Sequence, residues 1–314
     1  MNDSDLAAPG ADRAQEFERF RPLLFSIAYR ILGSVDDAED AVQETWLRYL
    51  TSDVEPVSVQ AYLSTVVTRI AIDVLRSARV RRESYVGEWF PEPLLQDPYE
   101  DPERSAELAD SISMSALLML ERLSPLERAV FVLRDVFAFE FPEIADAVGR
   151  SEAACRQLAV RARRHMSDGR PRYAAGRRER EELAGRFFDA LCGGDVDALR
   201  EVLAADVQAV GDGGGKAPAF ARAVTGVDNV ARVLAVTVPA LLAIGGTVEP
   251  HELNGQPGAI LRDRDGKVVN TITLDIRDGH VHTIWAVSNP DKLRHVGPVG
   301  DGWEVARAMR QASR

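Results

Sequence analysis

Apolar residues recur at helical spacing through the first part of the chain. Spacings of three and four residues, typical of amphipathic helices, run over residues 17–32, 35–50 and 61–82. Gly33 is placed to cap the end of the first helix, and Ser34 to open the second. We therefore predict three helices, with a loop over residues 51–60 between the second and the third.

Residues 85–111 break this pattern. They contain four prolines among acidic and aromatic residues, which predicts an extended linker. Tyr85, Trp89 and Phe90 stand at its start. Aromatic residues of this kind usually dock onto a surface, so we expect the beginning of the linker to be held by another part of the chain.

A second helical region follows the linker. A helix is predicted over residues 112–123, and Ser124-Pro125-Leu126-Glu127 has the signature of a capped helix start. Helices over residues 142–148 and 151–166 are separated by Gly149, which is the layout of a helix-turn-helix. One face of the second helix is apolar and predicted to be buried, with Cys155, Leu158, Ala159, Ala162 and Met166.

The last third of the chain has a different pattern. Helices are predicted over residues 181–192, 196–203 and 227–242, with a short strand over 207–210. Four more strands are predicted over residues 247–253, 256–263, 267–277 and 280–288. The turns between them, Asn254-Gly255, Asp265-Gly266 and Asp278-Gly279, favour tight hairpins with positive φ at both turn residues. Helices followed by an antiparallel meander predict an α+β domain.

Charge is segregated along the chain. The 314 residues carry a formal net charge of −11, which by itself argues against a nucleic-acid binder. Residues 36–44 are acidic without a basic residue, whereas residues 69–82 and 150–186 are rich in arginine. This pattern favours one surface for a basic protein partner and two for a polyanion. Solvated helix faces are the alternative that charge alone leaves open.

Several classes of protein are excluded or disfavoured. No apolar run approaches the roughly 18 residues of a membrane span, and residues 1–15 lack the features of a secretory signal. The two cysteines, Cys155 and Cys192, stand far apart, so neither a disulfide framework nor a zinc site is expected. We expect a cytoplasmic protein without a metal or cofactor.

Two further patterns could indicate chemistry. The glycine loop at 212–216 lacks the upstream glycine and the hydroxyl residue of a phosphate-binding loop. If Asp278-Gly279 is a two-residue turn, Asp275 lies directly opposite His282, an arrangement that suits acid–base catalysis. The ordinary interpretation is a cross-strand pair on the surface, with the core on the other face. That predicted core face holds Ile272, Leu274, Ile276, Val281 and Trp285.

The order of these segments resembles that of bacterial sigma factors. Residues 36–47 resemble the segment that binds core RNA polymerase, residues 61–76 the −10 element segment, and residues 123–166 the −35-binding region 4. The short linker resembles the extracytoplasmic-function (ECF) class. The motifs at 89–93, 212–216 and 289–293 are similar to those of its sigma J-type group, which carries a C-terminal SnoaL-like domain of the NTF2-like fold.

The resemblance implies roles for individual residues. The residues implied to contact core RNA polymerase are Asp36, Asp37, Glu39, Asp40, Gln43, Glu44 and Trp46. The residues implied to contact the promoter −10 element are Tyr62, Arg69, Asp73, Arg76 and Arg79. The residues implied to contact the −35 element are Ser151, Glu152, Arg156, Gln157, Arg161, Arg163 and Arg164. Among these we expect Arg156 and Gln157 to read base edges and the last three arginines to hold phosphates.

The three shared motifs are expected to form a regulatory contact in which the glycine loop holds the linker and Lys216 offers a cation to Glu92. In the linker they comprise Trp89, Phe90, Pro91, Glu92 and Pro93. The glycine loop contributes Asp212, Gly213, Gly214, Gly215 and Lys216. The last motif contributes Asn289, Pro290, Asp291, Lys292 and Leu293.

The expected organisation is multidomain: a disordered N-terminus (1–16), an all-α region 2 (17–84), the linker (85–111), an all-α region 4 (112–168), a basic connector (169–180), the SnoaL-like domain (181–293) and a tail (294–314). The expected partners are core RNA polymerase and promoter DNA, with no membrane and no separate anti-sigma factor. Two alternatives stay open: a small-molecule isomerase or cyclase with a DNA-binding appendage, and a ligand-responsive regulator with an unidentified small ligand in its SnoaL-like pocket.

Overall fold

The computed structural model describes residues 9–82, 85–167, 176–220 and 222–312. Contacts divide the chain into two compact units. The first comprises residues 1–83, 97–112 and 116–169, and the second comprises residues 84–96, 113–115 and 170–314. Residues 84–96 of the linker therefore belong to the unit that contains the C-terminal sheet, and the later linker residues belong to the helical unit. Within the described residues, no helix has the length and apolar character needed to span a bilayer.

The helical unit begins with three long helices. They are α1 (Pro9–Leu32), α2 (Val35–Leu50) and α3 (Val59–Arg82), and they pack against one another. Gly33 adopts a left-handed φ of 69° at the end of α1, and the Ser34 hydroxyl accepts a hydrogen bond from the Asp37 amide, as predicted. Helix α1 begins at Pro9, inside the segment 1–16 that the sequence predicted to be disordered. Arg13 donates to the carbonyls of Tyr49 and Ser52 and so attaches the start of α1 to the end of α2.

The second half of this unit consists of short helices. They are α4 (Ser105–Ser111), α5 (Met114–Leu120), α6 (Pro125–Phe131), α7 (Phe141–Val148) and α8 (Glu152–Ser167), with a π-helical turn at Val132–Val136 after α6. The capping box of Ser124 and Glu127 is present, and Gly149 between α7 and α8 has a left-handed φ of 62°. The helix-turn-helix is thus formed as predicted. The end of the predicted extended linker is helical instead, since α4 occupies it.

A buried arginine connects the linker to the helical core, and a second buried arginine supports it. The Arg30 side chain is fully buried, and it donates to Asp97 at 2.8 Å and to Ser111 at 2.8 Å. Arg128 is also buried and donates to the Arg30 carbonyl at 2.8 Å. Burial lowers the pKa of Arg30, and the Asp97 carboxylate opposes that shift. The second half of the linker is therefore anchored to α1.

The second unit is a six-stranded sheet with helices on one face. Helices α9 (Arg177–Gly193), α10 (Val196–Val202) and α11 (Val227–Ala243) accompany strands β1 (Leu203–Asp212), β2 (Val224–Thr225), β3 (Thr247–Leu253), β4 (Gln256–Arg262), β5 (Val268–Arg277) and β6 (His280–Val287). The strand order is β2-β1-β6-β5-β4-β3, with β1 parallel to β6 and the other pairs antiparallel. A 3-10 turn at Pro290–Lys292 and helix α12 (Gly302–Ala312) complete it.

The predicted α+β domain with its antiparallel meander is confirmed, with three local corrections. Asn254-Gly255 and Asp278-Gly279 have positive φ at both residues, but at the third turn Gly266 alone does, because the β4–β5 loop is longer and is closed by a hydrogen bond from the Asp263 amide to the Lys267 carbonyl. Strand β1 is longer than predicted. The tail contains α12, whose Val305 and Met309 pack against the core.

The predicted register of the last hairpin is wrong. Asp275 lies opposite Thr283, because a β-bulge follows at Ile276 and shifts the pairing by one residue. His282 instead lies 3.7 Å from Asp206, so Asp275 and His282 form neither the ordinary cross-strand pair expected from the sequence nor an acid–base pair. The same shift places Trp285 outside the helix-covered core, which contains Ile284 in its place.

Candidate nucleic-acid and polymerase interfaces and the linker site

The acidic segment expected to bind core RNA polymerase forms one surface of α2. Asp36, Asp40 and Gln43 are exposed, and Asp37, Glu39, Glu44 and Trp46 are half-buried. A cavity of about 300 Å³ opens between α1 and α2. Its lining combines apolar, acidic and amide side chains with one arginine: Phe17, Glu18, Arg21, Glu39, Asp40, Val42, Gln43 and Trp46.

Contacts across this cavity hold α1 and α2 together. The rings of Phe17 and Trp46 lie 5.1 Å apart, and Arg21 pairs with Glu39 at 2.5 Å. These contacts leave the Asp40 carboxylate and the Gln43 amide exposed at the rim. The surface therefore offers negative charge beside an apolar recess, which suits a basic partner with aliphatic or aromatic stems.

The residues expected at the −10 element lie along α3, but they do not all face solvent. Tyr62 is half-buried, and its ring lies 5.9 Å from that of Tyr49. Arg76 pairs with Asp73 at 3.2 Å on the exposed surface. Arg79 belongs to α3, but its side chain lies outside the described residues.

Arg69 has an intramolecular partner that the sequence did not indicate. Its guanidinium group donates to the carbonyl of Asp146 at 2.6 Å and to that of Ala147 at 3.3 Å. Both carbonyls belong to the last turn of α7, where the helix dipole is negative. In this structure, the arginine expected on promoter phosphates therefore holds α3 against the helix-turn-helix.

The helix-turn-helix buries the predicted face of α8. Cys155, Ala159 and Ala162 are almost inaccessible to solvent, while Ser151, Arg156 and Gln157 are exposed and Glu152 is half-buried. Burial raises the pKa of the Cys155 thiol, in keeping with a structural residue. The face that carries the predicted base-reading residues thus points away from the core.

The arginines of α8 differ in their intramolecular partners. Arg156 pairs with Glu152 at 2.6 Å and lies 5.0 Å from the centre of the Phe141 ring. Arg163 pairs with Asp135 at 2.7 Å, and Arg161 with Glu127 at 3.3 Å. Arg164 is exposed. The pairs of Arg161 and Arg163 connect α8 to the α6 region, so these two side chains also stabilise the domain.

The three motifs of the sequence converge within the second unit on one carboxylate. Asp212 is fully buried, and it accepts hydrogen bonds from the Tyr85 hydroxyl at 2.5 Å, the Phe90 amide at 2.9 Å and the Lys292 ammonium group at 2.7 Å. Lys292 also donates to the Phe90 carbonyl. We call these four residues, together with Asn289, the linker latch. Asn289 completes the latch by donating to the Tyr85 hydroxyl at 2.6 Å.

Aromatic rings enclose the latch lysine. The Lys292 Nζ atom lies 4.2 Å from the centre of the Trp89 ring and 4.9 Å from that of Tyr85, both within cation–π range. Burial and the hydrogen bond to Asp212 raise the pKa of Tyr85, so its hydroxyl stays protonated and donates. The latch is therefore a satisfied network of buried polar groups.

The glycines of the loop are required by close approach. Gly214 has a left-handed φ of 56°, and a Cβ atom there would lie 2.7 Å from the Tyr85 hydroxyl and would also clash with the Asn289 amide. Gly215, with a φ of 71°, has Val86 beside it. The sequence prediction that this loop contacts the linker is confirmed. The predicted partner of Lys216 is wrong, because Lys216 pairs with Asp291 and the cation at the linker is Lys292.

The rest of the linker segment packs onto the sheet. The Phe90 ring is buried edge-on against Trp285, with ring centres 5.4 Å apart. The Asn254 amide donates to the Leu94 carbonyl at 2.8 Å, and the Leu94 amide donates to the Asn254 side-chain oxygen Oδ1 at 3.1 Å. His295 lies 2.6 Å from the Pro93 carbonyl. The sequence marked Asn254 as a turn residue and gave no signal that its side chain also binds the linker.

The comparisons with known proteins agree with this geometry. Residues 17–81 match the family model for Sigma-70 region 2, and residues 113–166 match that for Sigma-70 region 4. The chain is 40% identical over 307 residues to the ECF RNA polymerase sigma factor SigJ of Mycobacterium tuberculosis, covering 91% of this chain and 97% of that protein. It is 30% identical over 302 residues to the M. tuberculosis sigma factor SigG, covering 86% of this chain and 80% of that protein.

A solved structure extends the likeness to the whole arrangement of elements. The crystal structure of M. tuberculosis SigJ matches with a TM-score of 0.70 at 35% sequence identity, and the match covers 91% of this chain and all of that one. The relatives are sigma factors rather than enzymes, so the isomerase or cyclase alternative is not favoured. The chain belongs to the ECF RNA polymerase sigma factors.

Proposed function

We propose that the C-terminal domain controls promoter use in cis by holding the linker between the two promoter-binding regions. In this proposal α2 binds core RNA polymerase through its acidic surface, α3 contacts the −10 element and α8 contacts the −35 element. The polymerase supplies the chemistry. The observation that supports control in cis is the linker latch, in which Asp212 and Lys292 bind the backbone of Phe90.

The latch limits how far the linker can extend. The −10 and −35 elements are separated by roughly 25 base pairs, or about 85 Å of B-form DNA. A stretch of about 30 residues can reach roughly 100 Å when fully extended, which is enough to connect the two regions. Asp212 and Asn254 hold the first half of the linker, and Arg30 holds part of its second half. We propose that these contacts loosen when the two regions bind the promoter, while the linker stays docked on the C-terminal domain.

A second contact opposes promoter binding in the same way. Arg69 is engaged with the α7 carbonyls, so its guanidinium group must leave α7 before it can neutralise a −10 phosphate. The exchange is feasible because the contact is at the exposed surface, where such interactions are weak. We propose that α3 and α7 separate when the holoenzyme binds DNA.

Restraint by a tethered domain needs no separate anti-sigma protein. A covalent tether raises the effective concentration of a weak contact to the millimolar range, so the latch is occupied without a second gene product. We propose that the signal acting on this protein loosens the latch directly.

Run-off transcription tests the proposal. Purified core RNA polymerase is assayed on a pool of genomic fragments with the parent chain, with Asp212→Asn and with no added chain. We expect discrete transcripts that depend on the parent chain, and a changed yield from the same promoters with Asp212→Asn. Transcription that does not depend on the chain would contradict the initiation function, and an unchanged yield with Asp212→Asn would contradict control by the latch.

A further inference from the structure

The outward face of α8 carries an apolar strip between its polar residues. Val160 is 64% exposed, although the helix is otherwise charged or polar on this side. Ala153, two turns earlier, is also exposed. The two side chains lie on one line along the helix, because seven residues make almost two full turns.

The strip runs through the middle of the face that points away from the core. At about 100° per residue, Val160 projects between the directions of Arg156 and Gln157, one turn further along the helix. The buried side chains Cys155 and Ala162 occupy the opposite direction. A surface that contacts both Arg156 and Gln157 and extends one turn further along the helix therefore also contacts Val160.

An exposed valine contributes little to the helix itself. A β-branched residue has a lower helix propensity than the unbranched residues around it, and Val160 gains little from burial in the free chain. Its methyl groups are available to a ligand that presents an apolar group between hydrogen-bonding positions. In the major groove that group is the C5-methyl of thymine, which small apolar side chains contact, whereas arginine and glutamine bind purine edges.

We propose that Val160 contacts the C5-methyl group of one thymine in the −35 element and selects that base, with Ala153 lining the same strip. This rests on the proposed binding of α8 to the −35 element. The consequence is a position in the element that is read without a hydrogen bond. At that position uracil, which lacks the methyl group, is a weaker substitute for thymine.

The test uses the holoenzyme and a −35 duplex selected by it from randomised DNA. Each thymine of the selected element is replaced in turn by uracil, and binding is measured for the parent, Val160→Ala and Val160→Ile. We expect one thymine at which uracil weakens parent binding about fourfold, the factor that corresponds to burial of one methyl group. We expect Val160→Ala to bind the thymine duplex more weakly by a similar factor and to lose sensitivity at that thymine, and Val160→Ile to retain it.

Val236→Ala is the matched control, since Val236 is 67% exposed on α11 and should leave binding and uracil sensitivity unchanged. A selected element without thymine, a parent insensitive to every replacement, or Val160→Ala with the parental sensitivity would overturn the inference. Arg156→Ala distinguishes failure of the proposed −35 binding by α8 from failure of the proposed thymine contact by Val160. If the holoenzyme selects no sequence at all, −35 binding by α8 fails, whereas selection that depends on Arg156 but not on Val160 overturns the inference alone.

Discussion

The carboxylate of Asp212 and the ammonium group of Lys292 lie 2.7 Å apart, with side chains 0% and 7% exposed. Each is also bonded to the backbone of Phe90, the carboxylate to its amide and the ammonium group to its carbonyl. An ion pair buried in this way is stable because each charge has further hydrogen-bond partners. One residue of the linker is thus held at both of its backbone polar groups.

Asp212→Asn should release the linker. The substitution leaves the buried Lys292 without its counter-ion, and breaking a buried pair by removing one partner costs about 3–5 kcal/mol. We expect faster amide hydrogen exchange over residues 85–96, measured by mass spectrometry, and a lower melting temperature. Lys292→Met should give the same two changes.

Lys216→Met is the control for this experiment. The Lys216–Asp291 pair is exposed, and such pairs contribute little to stability. Exchange over residues 85–96 should therefore match that of the parent. Equal protection of the linker in Asp212→Asn and in the parent would mean that the latch does not hold it.

The combined substitution of Asp40 and Glu44 by lysine should abolish co-purification with core RNA polymerase. Asp40 is exposed and Glu44 makes an exposed i,i+4 pair with Arg48, so the helix should remain folded while the sign of the surface charge changes. Far-UV circular dichroism checks the fold, and affinity purification with tagged core measures binding.

The same change of charge elsewhere provides the control. Glu179 and Glu182 are exposed on α9, and their joint substitution by lysine should leave binding to core intact. Loss of binding in both double variants would point to net charge rather than to the α2 surface. Retained binding in the α2 variant would refute the assignment of this surface.

Arg156→Ala and Arg163→Ala should differ in their effects on DNA binding. Loss of a base contact by Arg156 should weaken specific binding by about 1–3 kcal/mol and relax the preference at one −35 position. Loss of a phosphate contact by Arg163 should weaken binding evenly across sequences and reduce its salt dependence. Titrations of the holoenzyme with matched and mismatched duplexes at several salt concentrations measure both effects.

The Arg163 variant needs a stability check, because Arg163 also pairs with Asp135. Thermal unfolding of both variants separates loss of fold from loss of DNA contact. Two stable variants with the same base preference and the same salt slope would show that the assignment of roles on α8 is incorrect.

Much of the sheet could be predicted because its signals are local. Strands β3 to β6 lie within one residue of their predicted bounds, since Asn254-Gly255 and Asp278-Gly279 fix turns whatever surrounds them. The pairing of Asp275 could not be predicted in the same way. A β-bulge adds a residue to one strand in response to packing, and the sequence of the hairpin does not indicate where it falls.

The sequence predicted which segments form the latch, but it did not predict which side chains bond to one another there. Sequence motifs identified the linker, the glycine loop and residues 289–293 as partners, whereas the choice of Asp212 and Lys292 over Lys216 depends on which side chains the fold buries. Asp212 and Phe90 are more than a hundred residues apart in the sequence, and local sequence patterns do not predict contacts between residues so far apart. Helix α12 was missed for a related reason, because its stability comes from packing of Val305 and Met309 on the core rather than from its own short sequence.

Two truncations should have opposite effects on transcription. Removal of residues 295–314 deletes α12 and the His295 contact with the Pro93 carbonyl, but it leaves Asp212 and Lys292 in place. The linker is then held less firmly, and we expect more run-off transcript. Removal of residues 181–314 deletes the whole docking surface and exposes Phe90 and Leu94. We expect less transcript, because an unsupported linker loses more conformational entropy when it is ordered on the promoter.

Point variants distinguish loss of the linker contact from loss of the fold. His295→Ala should raise transcription in the same direction as the shorter truncation, since it removes the same hydrogen bond without deleting α12. Trp303→Ala is its control, because Trp303 is 45% exposed on α12 and makes no described contact with the linker. Binding to core should be equal for all four proteins, as α2 is unchanged. If all of them transcribe like the parent, the C-terminal domain does not act on the linker, and its latch with Asp212 serves folding alone.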